Sequence, residues 1–456
     1  MNVKNLLLAL AILSSTNLAK ATEKDKSAST DSIKQGWNFG AIPAISYSTD
    51  VGFQYGAAVN FYHYGDGSRF PLYNHSFYVE ISRYTKGSGT YRFYYDSDQL
   101  IKGIHITSDL SYLPDRAYDF YGFNGYESVY NKDWVDDTSE QYRTRMFYKF
   151  QQKLFRFKTD FQGQLGEGHF RWLAGVNLMN YNIKSVDIDK LNEGKDDEDK
   201  LPSVEEQPGL YERYQNWGLI DAEEADGGFI PELKAGLVYD TRDHNPNPMK
   251  GVWSEAVLAV VPGFLGADSG FSKFSLIHRQ YFTLVKNDLS FAYRVAWQQT
   301  LSGDVPFYYQ PNLITTVLTG SSTTGLGGSK NLRGANRNRV VGDGVLYGNL
   351  ELRWKFARMR FIRQNFYWGL NGFYDFGMAT RKIDMESKIA QLNRPEFSGE
   401  ATNHYFNFGA EKLHSTVGAG LQLAMNYNFI LALDYGLTLD DQDGASGIYI
   451  GLNYIF

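Results

Sequence analysis

The chain has 456 residues, no Cys, 33 Tyr, 31 Phe and 45 Gly; it is 16% aromatic and 21% charged, with a net charge of −6. Past the N-terminus no window approaches the roughly 18 consecutive apolar residues of a spanning helix, and no basic stripe marks a nucleic-acid binder. So polar a chain with so many aromatics suits strands that alternate between lipid and a wet lumen; the lack of Cys fits an oxidising compartment and a fold without disulfides.

Residues 1–21 read as a cleaved export signal, with Lys4 as the positive start, Leu6 to Leu13 as the apolar core and Ala19-Lys20-Ala21 as the small-x-small site. Removing Lys4 and Lys20 takes the net charge to −8. Residues 22–35 are a polar tether with the composition of a disordered segment.

From residue 36 to 456 the pattern is period-2 alternation broken by turns. Between Val51 and Tyr62, for example, Val51, Phe53, Tyr55, Ala57, Val59 and Phe61 share one face. The alternation predicts sixteen strands: 37–47, 51–62, 74–84, 89–97, 103–112, 141–153, 169–183, 229–240, 252–261, 271–284, 288–299, 345–356, 365–376, 412–426, 428–439 and 447–456. With the first strand running outward, the four longest linkers (113–140, 184–228, 300–344 and 377–411) all fall outside the cell. Long outer loops and short inner turns are the asymmetry of outer-membrane barrels. The fold class is therefore all-β, a 16-stranded antiparallel transmembrane β-barrel with long extracellular loops.

The linkers differ in character. Linker 113–140 carries the aromatic cluster Tyr118 to Tyr126 and is expected to fold over the barrel mouth. Linker 184–228 is acidic, with 14 Asp and Glu against 4 Lys and Arg over 187–226, and is expected to be a solvated outer loop. Its Asp187-x-Asp189 lacks the later ligands of a calcium loop. Linker 300–344 holds Gly325 to Gly344 with Arg333, Arg337 and Arg339 among its glycines, a loop suited to folding back tightly. The following strand puts Tyr347, Asn349, Glu351, Arg353 and Lys355 on one face; the next puts Tyr367, Asn371, Phe373 and Asp375 on one face. Arg333 is therefore expected to enter the lumen and pair with Asp375 or Glu351, because a guanidinium fork suits a carboxylate in a partly desolvated interior.

The last strand carries Ile448, Ile450, Leu452, Tyr454 and Phe456 on one apolar face. A terminal apolar strand with Leu452, Tyr454 and Phe456 is the form in which outer-membrane barrels meet the assembly machinery that inserts them.

The order Leu332-Arg333-Gly334, then Glu351-Leu352-Arg353, then Phe373-Tyr374-Asp375-Phe376-Gly377 resembles the barrel of the BamA/TamA-like superfamily, the bacterial surface-antigen type. In that family an Arg-Gly loop is tucked into a sixteen-stranded barrel against acidic residues of the following strands. Asp240, Arg242, Asp243, Pro248 and Gly251 look like the family's periplasmic turn between strands eight and nine, and Pro43 to Gly52 resembles its opening hairpin. Two departures stand out: position 335 is Ala where the family usually has an aromatic, and the periplasmic POTRA repeats that receive client polypeptides are absent from the sequence.

The resemblance implies assistance to outer-membrane protein or lipid assembly or translocation through a lateral seam between the first and last strands. The alternatives are a passive channel, a structural barrel or a surface receptor. No cofactor or metal motif and no nucleophile set for an enzyme is present among the motifs. The implied partners are membrane lipids and lipopolysaccharide, the barrel-assembly machinery for its own insertion, and client polypeptides or a separate periplasmic partner.

Overall fold

The computed structural model describes residues 33–70, 72–244, 247–316, 325–361, 364–391, 402–425, 429–452 and 454–456; the expected signal at 1–21 and most of the tether lie outside them. The strands are β1 (Trp37–Pro43, resuming at Ser46–Ser48), β2 (Gly52–His63), β3 (His75–Tyr84), β4 (Gly89–Ile101), β5 (Ile104–Asp119), β6 (Lys149–Gln164), β7 (Phe170–Lys184) and β8 (Gly227–Asp240). They continue as β9 (Gly251–Val261), β10 (Phe271–Val285), β11 (Leu289–Gly303), β12 (Gly344–Phe361), β13 (Gln364–Arg381), β14 (His414–Met425), β15 (Phe429–Thr438) and β16 (Ser446–Leu452). Each pairs antiparallel with its neighbours and β16 returns to β1, closing a 16-stranded barrel as the alternation predicts. No helix among the described residues is long and apolar enough to cross a membrane.

The pleat sorts side chains as a barrel requires. On β12, Leu352 and Trp354 are 47% and 49% exposed on the outer wall while Glu351 and Arg353 between them are buried. The lumen is thus lined by polar groups, and these must find partners.

The largest departures from the predicted strand boundaries fall on β5 and β6. The sixth strand runs Lys149–Gln164, not 141–153, and β5 extends to Asp119, well beyond 112. The inward positions of β6 are Gln152, Arg156, Lys158 and Asp160, the last three of which fall between strands in the sequence reading. Each charge is matched inside: Arg156 to Asp109 at 2.9 Å, Lys158 to Asp160 at 3.1 Å and Lys234 to Asp160 at 2.7 Å.

The described parts of the loops 120–148, 185–226, 304–343 and 382–413 meet at one end of the barrel in a shared aromatic cap. Phe120 meets Tyr214 edge-on at 5.1 Å and Trp217 meets Tyr405 at 4.9 Å. The aromatic loop folds over the mouth as expected. The acidic loop departs from expectation: its first part encloses a small buried cluster of Val186, Ile188 and Leu201, and helix α1 (Leu210–Asn216) buries Leu210, Tyr211 and Tyr214 in the cap. Its apolar residues recur at helical spacing, a signal hidden by the surrounding Asp and Glu.

A buried charged cluster ties this cap together. Both His414 nitrogens face carboxylates, Nδ1 to Asp443 at 2.5 Å and Nε2 to Glu411 at 3.2 Å, and the ring stacks on Tyr126 at 3.8 Å. Tyr126 donates to Asp443 at 2.7 Å, and Arg339 donates to the carbonyls of Gly125 and Ser128 at 2.7 and 3.0 Å. His414→Gln leaves one of the two carboxylates without its donor, and is expected to cost about 1–3 kcal/mol. Faster proteolysis of the outer loops in the intact, detergent-solubilised barrel would report it; unchanged cleavage would count against the cluster's role.

Candidate functional site: the Arg333 loop and the β1–β16 seam

Residues 325–341 form a compact return inside the barrel. Leu326 and Val340 exchange main-chain hydrogen bonds at 3.0 and 3.1 Å, and the Asn331 side chain accepts from Gly327 N–H at 2.7 Å. The turn needs left-handed backbone at Gly327, Gly328 and Gly334, with φ of +118°, +77° and +103°. Side chains pin its outer half: Arg337 reaches Asp115 at 2.9 Å and Asp119 at 2.6 Å. Near the tip, Arg294 donates to Lys330 O at 2.8 Å and Asn349 to Asn331 O at 2.6 Å.

The tip delivers Arg333, fully buried, to three carboxylates. Its Nε and Nη2 fork onto Asp375 at 2.8 and 2.9 Å, Nη2 also meets Glu351 at 2.7 Å, and Nη1 meets Asp434 at 3.2 Å. The guanidinium lies 3.4 Å from the centre of the Phe373 ring. Both partners named from sequence are therefore brought to Arg333. Asp434 was not among them, although it occupies an inward position of β15, and the parity of that strand marks it.

Leu332 and Ala335 are buried beside the tip. Gly334 N–H donates to Tyr449 Oη at 3.0 Å, so the loop touches β16 directly. A Cβ on Gly436 of β15 would lie 2.4 Å from Arg333 O, which makes this a main-chain to main-chain approach that only two glycines allow.

The seam is the weakest junction in the sheet. β15 and β16 pair from Leu431–Leu452 to Leu437–Ser446, whereas β16 meets β1 only where Tyr449 faces Ser48 and Ile450 faces Tyr47. Thr49 adds hydrogen bonds to Ile448, N–H to O at 3.1 Å and Oγ1 from N–H at 2.8 Å. Below this, Trp37–Pro43 pairs among the described residues with β2 alone, and Phe39 is 77% exposed.

The end of the chain corrects the sequence reading. β16 stops at Leu452, and Tyr454 and Phe456 do not share its outward face. They turn into the lumen: Tyr454 packs against Tyr367, Ala424 and Ile430, and Phe456 O accepts from Arg353 Nη2 at 3.0 Å. The Arg353 guanidinium lies 4.2 Å from the Tyr454 ring centre and 4.8 Å from that of Phe456. Arg353 also binds Glu351 at 2.7 Å, so Arg353 and Glu351 connect the tail to Arg333. Without β1 as a partner for their backbone, these aromatics gain more from the cationic lumen wall than from the outer face.

At the opposite end the turn after β8 is held by its own residues. Asp240 accepts from Arg242 at 2.9 Å and Arg171 at 3.1 Å, and Arg242 stacks 3.9 Å from the Trp253 ring centre. Asp243 accepts from Met249 N–H at 3.0 Å, Pro248 is buried, and Gly251 at φ +106° passes Thr241 O where no Cβ fits. This set lies apart from the Arg333 cluster.

An inward-folded Arg-Gly loop gripped by strands that follow it, in a sixteen-stranded barrel, is the arrangement the sequence resemblance implied. Residues 118–456 match the Omp85 superfamily domain. The chain belongs to the Omp85 superfamily. Its fold is similar to that of BamA from Haemophilus ducreyi lacking POTRA domains 1-3, at TM-score 0.53 and 14% identity over 92% of this chain and 71% of that one. It is also similar to CdiB from Escherichia coli, at TM-score 0.54 and 10% identity over 92% of this chain and 63% of that one. At such identities the likeness is one of fold. No curated protein matches the chain in sequence. As an Omp85 barrel the protein resides in the outer membrane of a Gram-negative bacterium, which places the aromatic cap outside the cell and the turn after β8 on the periplasmic side.

Proposed function

We propose that this Omp85 barrel assists assembly or translocation of outer-membrane proteins or lipids by opening laterally between β1 and β16. The carrying observation is the seam, closed by two facing residue pairs while the outer edge of Trp37–Pro43 has no strand beside it among the described residues. In hydrocarbon an unpaired strand edge costs several kcal/mol for each polar group left unsatisfied. Such an edge therefore favours a client strand added by main-chain pairing. In this reading the Arg333 loop holds β15 and β16 in place while the seam works, and the turn after β8 keeps the periplasmic mouth in shape. Residues 1–21 are the export signal, 22–35 the tether and 36–456 the working barrel. A separate periplasmic partner takes the part of client delivery.

The loop return inside the lumen and the aromatic cap over its mouth speak against a passive open channel, and the seam gives a purely structural barrel or a surface receptor no role. A photo-reactive residue at Phe39 or Ile42 is expected to crosslink to nascent barrels or lipids during envelope growth, several-fold more than one at Leu276 on the far wall. Equal labelling at both walls, or depletion that leaves every other barrel at normal abundance, overturns the proposal.

A further inference from the structure

The outer wall is unevenly charged where it leaves the membrane on the extracellular side. Arg83 on β3, Arg116 on β5, Lys153 on β6 and Lys184 on β7 all point outward near the extracellular ends of their strands, and among the described residues none of them forms an ion pair. Several other cations near this rim are paired. Arg381 pairs with Asp343 at 2.9 Å, Lys382 with Glu127 at 2.6 Å and Lys412 with Asp440 at 3.1 Å, while Lys149 pairs with Asp119.

The four free cations are neighbours along the wall. A Cβ on Gly87, in the turn that follows Arg83, would lie 3.1 Å from Arg116 Cβ. Lys153 stands opposite Pro114 on one side and Asn182 on the other, and Lys184 stands opposite Gln151. Beneath them lies an apolar shelf: Tyr91 and Tyr112 pack at 5.9 Å, and Phe155 follows Lys153 on the same face. Arg83 Nε donates to Tyr91 Oη at 3.0 Å, which fixes the charge at the upper edge of that shelf.

We propose that Arg83, Arg116, Lys153 and Lys184 form a binding site for the phosphate groups of an outer-leaflet glycolipid, whose acyl chains lie against the aromatic shelf below. Unpaired cations directly above an apolar belt match a molecule with anionic head and hydrocarbon tail, and each basic residue near a charged lipid surface adds to the attraction. Arg side chains can fork onto phosphate oxygens while the lysines act as point charges. The site rests on the outer-membrane location and is independent of the seam.

The test is native mass spectrometry of the detergent-purified full barrel with bisphosphorylated lipid A, its dephosphorylated form and phosphatidylglycerol. Wild type should retain bisphosphorylated lipid A most strongly. The fourfold variant R83Q/R116Q/K153Q/K184Q should lose on the order of a hundredfold in affinity, while a control with K102Q/K250Q/K286Q/R360Q at the inner rim keeps it. Heat-modifiable mobility shows that both variants are folded. Wild-type affinity in the outer-rim variant, or no preference for the phosphorylated form, overturns the site. Phosphatidylglycerol retained as strongly, with the same dependence on the four cations, overturns its assignment to the glycolipid.

Discussion

Arg333→Ala is expected to lower the stability of the folded barrel by about 3–5 kcal/mol, because removing one member of a buried ion pair strands the charge of the other. The magnitude follows from the local balance. Two guanidiniums, Arg333 and Arg353, face three carboxylates, Glu351, Asp375 and Asp434. Without Arg333, Glu351 keeps Arg353, while Asp375 loses both arms of its fork and Asp434 loses its cation. Arg333→Lys restores a charge but not the fork, and should recover only part of the loss. Denaturant midpoints in detergent measure these effects. In a double-mutant cycle with Asp375→Ala, the pair should cost less together than the sum of the singles, and strict additivity would remove the claim that Arg333 and Asp375 act as a unit.

Gly436→Ala should be strongly damaging to the seating of the loop tip on β15, at about 3 kcal/mol, the upper end for overpacking. The added carbon would sit 2.4 Å from Arg333 O and 2.8 Å from Gly334 N. These are main-chain atoms with no rotamer to yield, so the tip must lift and surrender the Gly334 bond to Tyr449. The expected signature is a lowered midpoint together with easier seam opening. A wild-type midpoint would show that the loop tip is not seated on β15. Changing outward-facing Leu433 on the same strand to Ala is the control, and should leave the tip in place.

How much of this was readable in the sequence depended on which face a residue occupied. β12 and β13 alternate cleanly, so the inward set with Glu351, Arg353 and Asp375 followed from parity, and a glycine-rich loop with arginines named their partner. β6 was misplaced because its lumen side is charged, and the matching charges come partly from Asp109 on β5 and Lys234 on β8, far away in sequence. The buried half of the acidic loop was masked by composition in the same way.

Tyr454 and Phe456 show a different limit. Alternation extends a strand for as long as its pattern holds, but strand continuation needs a neighbour to bond. β1 does not provide one at that level, so the last residues leave the sheet for Arg353. Nothing in the local pattern carries that information, which lies in the pairing of the first strand with the last.

The lateral opening itself is tested most directly by locking the seam. Tyr47 and Ile450 face each other across it, and the chain has no native Cys, so Tyr47→Cys with Ile450→Cys introduces one disulfide at a position suited to bridging. A matching pair at Leu421 and Leu433, which face each other between β14 and β15, controls for the crosslink alone. In proteoliposomes charged with an unfolded outer-membrane barrel as client, the oxidised seam should abolish assisted insertion and reduction should restore it, while the β14–β15 lock has no effect. Full insertion with the seam held shut would contradict the account.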